Sequence, residues 1–298
     1  MVHSAGSAKH PDLRRQSPMT PYLLLIPSML VFLAFVYFPF FKTIILSLTL
    51  TDAQGNPTKF VLFRNYERIF TNKQFINSLQ VSFRFALLVG IPSLVIGFVL
   101  ALMAKDRLRG SRVYEALFAL PMAVASAPAA SIWFLIFTPS TGVLNYLLGT
   151  NIRWLLDKNI AIYAVAAVTV WLNMGINFIF LLTGLRNIPE DLLESANIDG
   201  ASYFRRLFQI MIPVASPQIF FVVFLNIVSS FQAFAQIRLM TQGGPSYSTN
   251  VLVYSIYRSA LLDSRFETAC AQSIVLFFII LVITLIQFRF EKRGVNYA

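Results

Sequence analysis

Charged residues are scarce in this sequence. Asp, Glu, Lys and Arg together make up 12% of the 298 residues, whereas hydrophobic residues make up 57% and the mean hydropathy is +0.67. The surface of a globular protein in water normally requires about twice that share of charged residues. The composition therefore excludes a globular enzyme of two domains and indicates a protein that crosses a membrane several times.

The residues that usually carry out catalysis or bind metals are also few. The only cysteine is Cys270, so no intrachain disulfide can form, and the two histidines, His3 and His10, lie in the N-terminal tail. No G-x-x-x-x-G-K-[ST] motif occurs, so the chain has no P-loop for ATP. We therefore predict no catalytic residue, no metal site and no cofactor in this chain, which argues against a membrane-embedded enzyme.

The interiors of the long apolar runs contain no aspartate or glutamate, and Glu115 lies only at the edge of one run. A transporter driven by protons or sodium usually has an ionisable residue within the membrane. The absence of one indicates that the energy for transport comes from outside this chain. A secondary transporter or a channel is the alternative class, and it would be active without ATP.

Six apolar runs reach or exceed the ~20 residues that cross a hydrocarbon core of ~30 Å. The sequence thus predicts an all-α, polytopic membrane protein with six transmembrane helices in residues 22–288, between an N-terminal tail at 1–21 and a C-terminal tail at 289–298. Pro121 and Pro128 are expected to kink the third span. The predicted spans lie at 22–50, 77–104, 113–137, 160–183, 212–236 and 269–288.

The net charge is +11, but the basic residues lie at the ends of apolar runs rather than in a cluster with exposed aromatic residues. Nucleic acid is therefore not an expected partner. Four of the eight residues at 105–112 are lysine or arginine. Because cytoplasmic loops carry an excess of basic residues, this segment predicts a cytoplasmic connection between the second and third spans. Both termini and the polar segment at 187–213 then also lie in the cytoplasm.

The polar segment at 187–213 has the pattern of a helix, a turn and a second helix at the membrane surface. Pro189 is favoured at the first position of a helix, and the two acidic residues after it suit the positive end of the helix dipole. Asp199 and Gly200 predict the turn that ends this helix. Ser202 is a suitable N-cap for the second helix.

Within this segment the residues E-S-A-N-I-D-G (194–200), followed by Ile210 and Pro213, resemble the E-A-A-x-x-x-G motif of permease subunits of ATP-binding-cassette importers. Serine stands at the second position of the motif, a change between small side chains. The resemblance implies the type I importer permease fold and a coupling helix at about 187–200, which docks on a cytoplasmic ATPase. The alternative is an interfacial loop without a partner. The implied coupling residues are Glu194, Ser195, Ala196, Asp199, Gly200 and Ala201.

Neutral polar side chains recur in the later spans, at Asn173, Asn177, Asn226, Ser229, Ser230 and Gln272. Asn173 and Asn177, four residues apart, share one face of a helix. Uncharged donors and acceptors around a cavity suit a hydroxylated solute, so we predict that this set lines the substrate pathway. The alternative is that these side chains form hydrogen bonds between helices, which contribute only ~0.6 kcal/mol each on average in membranes.

The last third of the chain resembles the carbohydrate-uptake group of these permeases. The segments that carry the likeness are Q-G-G-P-S-Y-S-T-N-V-L-V-Y-S-I-Y-R (242–258), A-Q-S-I-V-L (271–276) and Q-F-R-F-E (287–291). Within that group the likeness is greatest to permeases for sn-glycerol 3-phosphate and glycerophosphodiesters. A di- or oligosaccharide is the alternative solute.

The resemblance also implies a cellular setting. The protein would lie in the bacterial inner membrane beside a second, homologous permease subunit. Two ATPase subunits would hold ATP and magnesium, and an extracytoplasmic solute-binding protein would deliver the solute. We expect the outer loops at 51–76 and 237–268 to meet the binding protein.

Overall fold

A computed structural model describes residues 20–106 and 110–294, and this part of the chain is a bundle of helices. The first half contains α1 (Thr20–Phe32), α2 (Phe38–Ser47), α3 (Arg64–Thr71), α4 (Lys73–Ala104), α5 (Ser111–Ala119), α6 (Ser126–Ile136) and α7 (Val143–Leu148). The second half contains α8 (Ala161–Arg186), α9 (Glu190–Ile198), α10 (Tyr203–Arg206), α11 (Ile212–Val214), α12 (Ser216–Phe231), α13 (Ala235–Met240), α14 (Leu252–Tyr257) and α15 (Phe266–Gly294). Shorter helical segments lie at Leu33–Tyr37, Leu120–Ala123, Leu207–Met211 and Arg258–Leu262.

Five helical segments are long and apolar enough to cross a membrane, which agrees with five of the six predicted spans. They are Tyr22–Ser47, Lys73–Ala104, Ala161–Arg186, Ser216–Met240 and Phe266–Glu291. The last helix continues to Gly294, so it extends past the boundary predicted at 288. Parts of the predicted tails and of the basic connection at 105–112 lie outside the described residues, namely 1–19, 107–109 and 295–298.

The third span differs from its prediction because it is broken rather than kinked. Ser111–Ala123 and Ser126–Ile136 meet at an angle of 98°. Pro121 lies in the tight helical turn Leu120–Ala123, and extended residues follow before α6 begins. Pro128 lies in the first turn of α6, where a missing N–H is tolerated. The two prolines therefore mark the end of one helix and the start of the next.

The predicted loop at 51–76 contains structure of its own, including a small antiparallel hairpin. Strand β1 (Thr49–Thr51) pairs with β2 (Pro57–Phe60), with Thr49 opposite Phe60. The Asp52 carboxylate accepts hydrogen bonds from the backbone N–H groups of Asn56 and Gln54, at 2.8 and 3.0 Å. Hydrogen bonds from the backbone and the side chain of Asn56 hold the pKa of Asp52 below its usual value. Strands of three and four residues are too short to show a period of two in the sequence.

The helices α4 and α8 pack against each other and carry much of the buried core. Phe85 and Val89 of α4 lie in one buried cluster with Val165 and Val168 of α8. Farther along α4 the two backbones approach closely at Gly97, where a Cβ atom would lie 2.7 Å from the Cβ of Asn177. Small residues at helix crossings permit this close approach in membrane proteins.

We expect Gly97→Leu to destabilise the protein by about 1–3 kcal/mol because the added side chain would force α4 and α8 apart. Gly90→Leu is the matched control, since a Cβ at Gly90 of the same helix meets nothing within 4 Å. The measurement is the thermal unfolding midpoint of the detergent-purified protein, followed by tryptophan fluorescence. Equal midpoints for the two variants would contradict the close approach at Gly97.

Candidate functional site

The predicted helix–turn–helix at 187–213 is present, with α9 as its first helix and α10 at the start of its second. Pro189 lies directly before α9 with an extended ψ of 129°, so it precedes the first helical position rather than occupying it. Gly200 follows the helix with a φ of +73°, which favours glycine. The backbone N–H of Arg205 donates to the Ser202 hydroxyl at 3.4 Å, which confirms the predicted N-cap.

One face of α9 contacts the protein and the other is exposed. Ala196 is buried, whereas the side chain of Ile198 is 87% exposed and Leu192 is 46% exposed. Ala201 is half-buried, and its backbone N–H donates to the carbonyl of Ala196 at 2.9 Å. The remaining predicted coupling residues, Glu194, Ser195, Asp199 and Gly200, are exposed. The motif therefore places acidic and apolar side chains together on a surface helix.

An arginine clamp, formed by Arg186 and its partners, fixes the base of α9. Nη2 of Arg186 donates to Oε1 of Glu115 and to the carbonyl of Ala104, both at 2.7 Å. Nη1 donates to Oε2 of Glu115 at 3.3 Å, and Nε donates to the carbonyl of Lys105 at 3.2 Å. The clamp thus joins the ends of α4 and α8 to α5, four residues before α9 begins.

A cleft of ≈560 Å³ lies between α9 and the clamp. Lys105, Asp106 and Arg186 line one part of it, and Glu194 and Asn197 of α9 line another. Arg186 is not among the functional residues predicted from the sequence. Its only signal was an arginine at the end of the fourth apolar run.

Five of the six predicted pathway residues lie together where α8 meets α12. Nδ2 of Asn177 donates to Oδ1 of Asn226 at 3.1 Å, and Nδ2 of Asn173 donates to the hydroxyl of Ser229 at 3.3 Å. The Ser230 hydroxyl donates to the backbone carbonyl of Asn226 at 2.6 Å. We call these five residues the amide cluster. Asn177, Asn226 and Ser230 are buried, and Asn173 and Ser229 are half-buried.

The hydrogen bonds between helices do not use all the polar atoms of the amide cluster. Oδ1 of Asn177 and Nδ2 of Asn226 are buried and have no hydrogen-bond partner among the described residues. A buried polar atom without a hydrogen-bond partner lowers the stability of the fold. Hydrogen bonds between α8 and α12 therefore do not explain why these two atoms are polar. A solute with hydroxyl groups supplies both donors and acceptors.

Gln272 is not part of the amide cluster. It lies on α15, where its Nε2 donates to the hydroxyl of Ser259 at 3.4 Å. It therefore faces the segment that follows α14, rather than the contact between α8 and α12.

Arg84, the charged residue inside the second span, is held by a tyrosine of the fourth. Its Nη2 donates to the hydroxyl of Tyr163 at 2.9 Å, and its guanidinium lies 5.3 Å from the centre of the Tyr163 ring. These contacts hold the guanidinium against the fourth span. Among the described residues, no group of three or more His, Cys, Asp and Glu side chains is placed to hold a metal.

Comparison with known proteins identifies the family. Residues 93–294, about two thirds of the chain, match the family model described as "Binding-protein-dependent transport system inner membrane component". The chain belongs to this family. The permease is 35% identical to the sn-glycerol-3-phosphate transport system permease protein UgpA of Agrobacterium fabrum, over 93% of this chain and 96% of that protein. It is 33% identical to the protein of the same name in Escherichia coli O157:H7, over 98% and 99% of the two chains.

Solved structures agree with the fold. One match, with a TM-score of 0.81, is to a chain of a bacterial ABC transporter involved in the import of the acidic polysaccharide alginate. The identity is 24% over 93% of this chain and 96% of that one. The match to the MetNI methionine ABC transporter is weaker, with a TM-score of 0.57 at 12% identity over 75% and 97% of the chains. The predicted fold and family are confirmed: this is a multi-pass ABC transporter permease and not an enzyme.

Proposed function

We propose that this permease forms half of the translocation pathway of an ATP-driven importer for a glycerol phosphate or a glycerophosphodiester. The proposal rests on one observation: the exposed helix and the amide cluster are connected through α8. The exposed helix α9 begins four residues after α8 ends, and α8 carries Asn173 and Asn177 of the amide cluster. A partner that moves α9 therefore moves one wall of the cluster.

The partner proposed for α9 is a cytoplasmic ATPase. The exposed Ile198 gives the helix an apolar contact, and Glu194 and Asp199 add charges that fix its orientation. Two ATPase subunits would hold ATP and magnesium, since this chain has no P-loop. A second, homologous permease would supply the other half of the pathway. ATP binding would close the ATPases, and the motion of α9 would open the pathway outward.

The opposite end of the bundle would meet an extracytoplasmic solute-binding protein. The helix α4 has 32 residues and is therefore roughly 48 Å long. The clamp lies at its last residues, whereas the loops at 51–76 and 237–268 lie near its first. With α9 and both termini in the cytoplasm, these loops face outward from the bacterial inner membrane.

The choice of solute rests on the relatives, which are named as sn-glycerol-3-phosphate transport system permeases. This chain aligns with them along nearly their whole length. A di- or oligosaccharide would use the same mechanism. The amide cluster suits the hydroxyl groups of either solute. A secondary transporter or a channel is the alternative class, and it would move solute without ATP.

The experiment that tests this function is ATP hydrolysis by the reconstituted importer with solute-loaded binding protein. The panel contains sn-glycerol 3-phosphate, glycerophosphodiesters and neutral sugars. We expect stimulation by a glycerol phosphate or a glycerophosphodiester. Stimulation by sugars alone would keep the mechanism and overturn the solute, and no stimulation in an assembled complex would overturn both.

We expect Asn226→Ala to weaken the apparent affinity for solute about two- to tenfold, the cost of one neutral hydrogen bond, with little change in ATPase assembly. Ser78→Ala is the control, because Ser78 is a buried serine of α4 that bonds within its own helix. The measurement is the solute dependence of uptake into proteoliposomes. If Asn226→Ala and Ser78→Ala behave alike, the amide cluster only joins the two helices.

A further inference from the structure

A small polar crevice lies at the end of the bundle opposite α9. The junction of α3 and α4 forms one side, and α14, with the turns before and after it, forms the other. Its volume is ≈60 Å³, enough for a few waters or one phosphate-sized group. Arg68, Arg258 and Arg265 line it, together with Asp263. We call this site the arginine crevice.

The guanidinium groups of the crevice have no carboxylate partner in the described chain. Among residues 20–106 and 110–294, the ion pair joins Arg186 to Glu115, and no carboxylate in these ranges lies within ion-pair distance of Arg68, Arg258 or Arg265. With three arginines and one aspartate, the crevice has a net positive charge. An arginine presents a rigid fork of N–H donors that matches the oxygens of a phosphate.

Arg258 is held in place by an aromatic ring. Its guanidinium lies 5.1 Å from the centre of the Tyr247 ring. Nε2 of Gln74 donates to the hydroxyl of Tyr247 at 3.1 Å, and Nδ2 of Asn77 donates to its backbone carbonyl at 3.0 Å. The ring is thus fixed at both ends by α4, and the arginine is half-buried against it.

Buried amides form the floor of the crevice. The side chains of Asn250 and Gln272 are 3% and 4% exposed, and both line the crevice. Oδ1 of Asn250 and Oε1 of Gln272 have no hydrogen-bond partner among the described residues. These oxygens accept hydrogen bonds from hydroxyl groups. The crevice therefore combines donors for an oxyanion with acceptors for neighbouring hydroxyls.

We infer that the arginine crevice binds the phosphate group of the solute on its way from the binding protein into the permease. The inference rests on the proposed function, which requires cationic partners that the amide cluster lacks. In this assignment the arginines hold the phosphate, and Asn250 and Gln272 line the floor beneath it. Gln272 then contributes to the solute route at a different depth from the amide cluster.

The test compares variants of the complete importer in proteoliposomes, with sn-glycerol 3-phosphate and increasing binding protein. We expect Arg258→Gln and Arg265→Gln each to lower the maximal uptake rate about tenfold, the loss of one charged hydrogen bond. The concentration of binding protein that gives half-maximal uptake stays unchanged. Arg258→Lys keeps the charge and recovers part of the rate. Arg153→Gln, at an exposed arginine outside the crevice, stays within about twofold of the parent.

The outcomes separate the possible ligands. If the variants raise the half-maximal concentration of binding protein and leave the maximal rate intact, the arginines bind carboxylates of that protein and the inference is overturned. Parent-like uptake by both crevice variants overturns it as well, while the proposed function stands. If the unsubstituted importer takes up a sugar but no glycerol phosphate or glycerophosphodiester, the inference falls together with the proposed solute. Arg265 is exposed, so its variant tests the site without disturbing the fold.

Discussion

Ile198→Asp is expected to lower the affinity of the permease for its ATPase subunit by about thirtyfold. Ile198 is 87% exposed at the end of α9. Burying such a side chain in a partner stabilises the complex by ~1.5–3 kcal/mol. The substitution removes that burial and places a further carboxylate beside Asp199. The measurement is the binding of purified ATPase to the permease complex in nanodiscs, at two salt concentrations.

The matched control for this substitution lies at the other end of the bundle. Leu147 of α7 is 72% exposed, and Leu147→Asp introduces the same charge far from α9. We expect this variant to bind the ATPase with parental affinity. Equal binding by the Ile198→Asp variant and the parent would show that α9 is not the docking helix.

Arg186→Leu is expected to destabilise the protein by about 2–4 kcal/mol, because it removes the hydrogen bonds that Arg186 donates to the Glu115 carboxylate and to two helix-end carbonyls. The side chains of Arg186 and Glu115 are only 22% and 23% exposed, so water replaces these bonds poorly. Arg186→Lys keeps the charge but loses the planar fork, and we expect it to recover less than half of the loss.

Two quantities test the clamp: the thermal unfolding midpoint and the stimulation of ATP hydrolysis. Arg186→Leu should lower the thermal midpoint and should also reduce the stimulation of ATP hydrolysis by loaded binding protein, since α9 begins four residues after Arg186. Arg153→Leu, at an exposed arginine, is the control for loss of a surface charge. A change in stability below about 0.5 kcal/mol would mean that the clamp is a solvated surface pair.

The bundle itself was largely predictable because membrane spans are long and apolar. Span limits agreed with the structure to within a few residues for α8, and α4 begins four residues earlier than predicted. The first helix of the polar segment was also readable, since Pro189 and Gly200 are local signals for its start and end. The break at Pro121 was underestimated because a proline alone does not tell whether a helix bends or stops.

The contacts that build the sites could not be read from the sequence. Arg186 pairs with Glu115, which is 71 residues away, and no local pattern connects them. The arginine crevice collects residues from α3 and from the segment around α14, which only the tertiary fold brings together. The spacing of Asn173 and Asn177 did predict a shared face. The contact of this face with Asn226 and Ser229 could not be predicted, because it depends on how α8 packs on α12.

The most direct test of the central claim is ATP-driven uptake of radiolabelled sn-glycerol 3-phosphate into proteoliposomes that contain the complete importer. Binding protein is added outside, ATP is trapped inside, and a Glu194→Ala permease is compared with the parent. We expect uptake that requires both ATP and binding protein, and the loss of most of that uptake in Glu194→Ala complexes that assemble normally. Uptake that continues without ATP, or that is unchanged by Glu194→Ala, would contradict it.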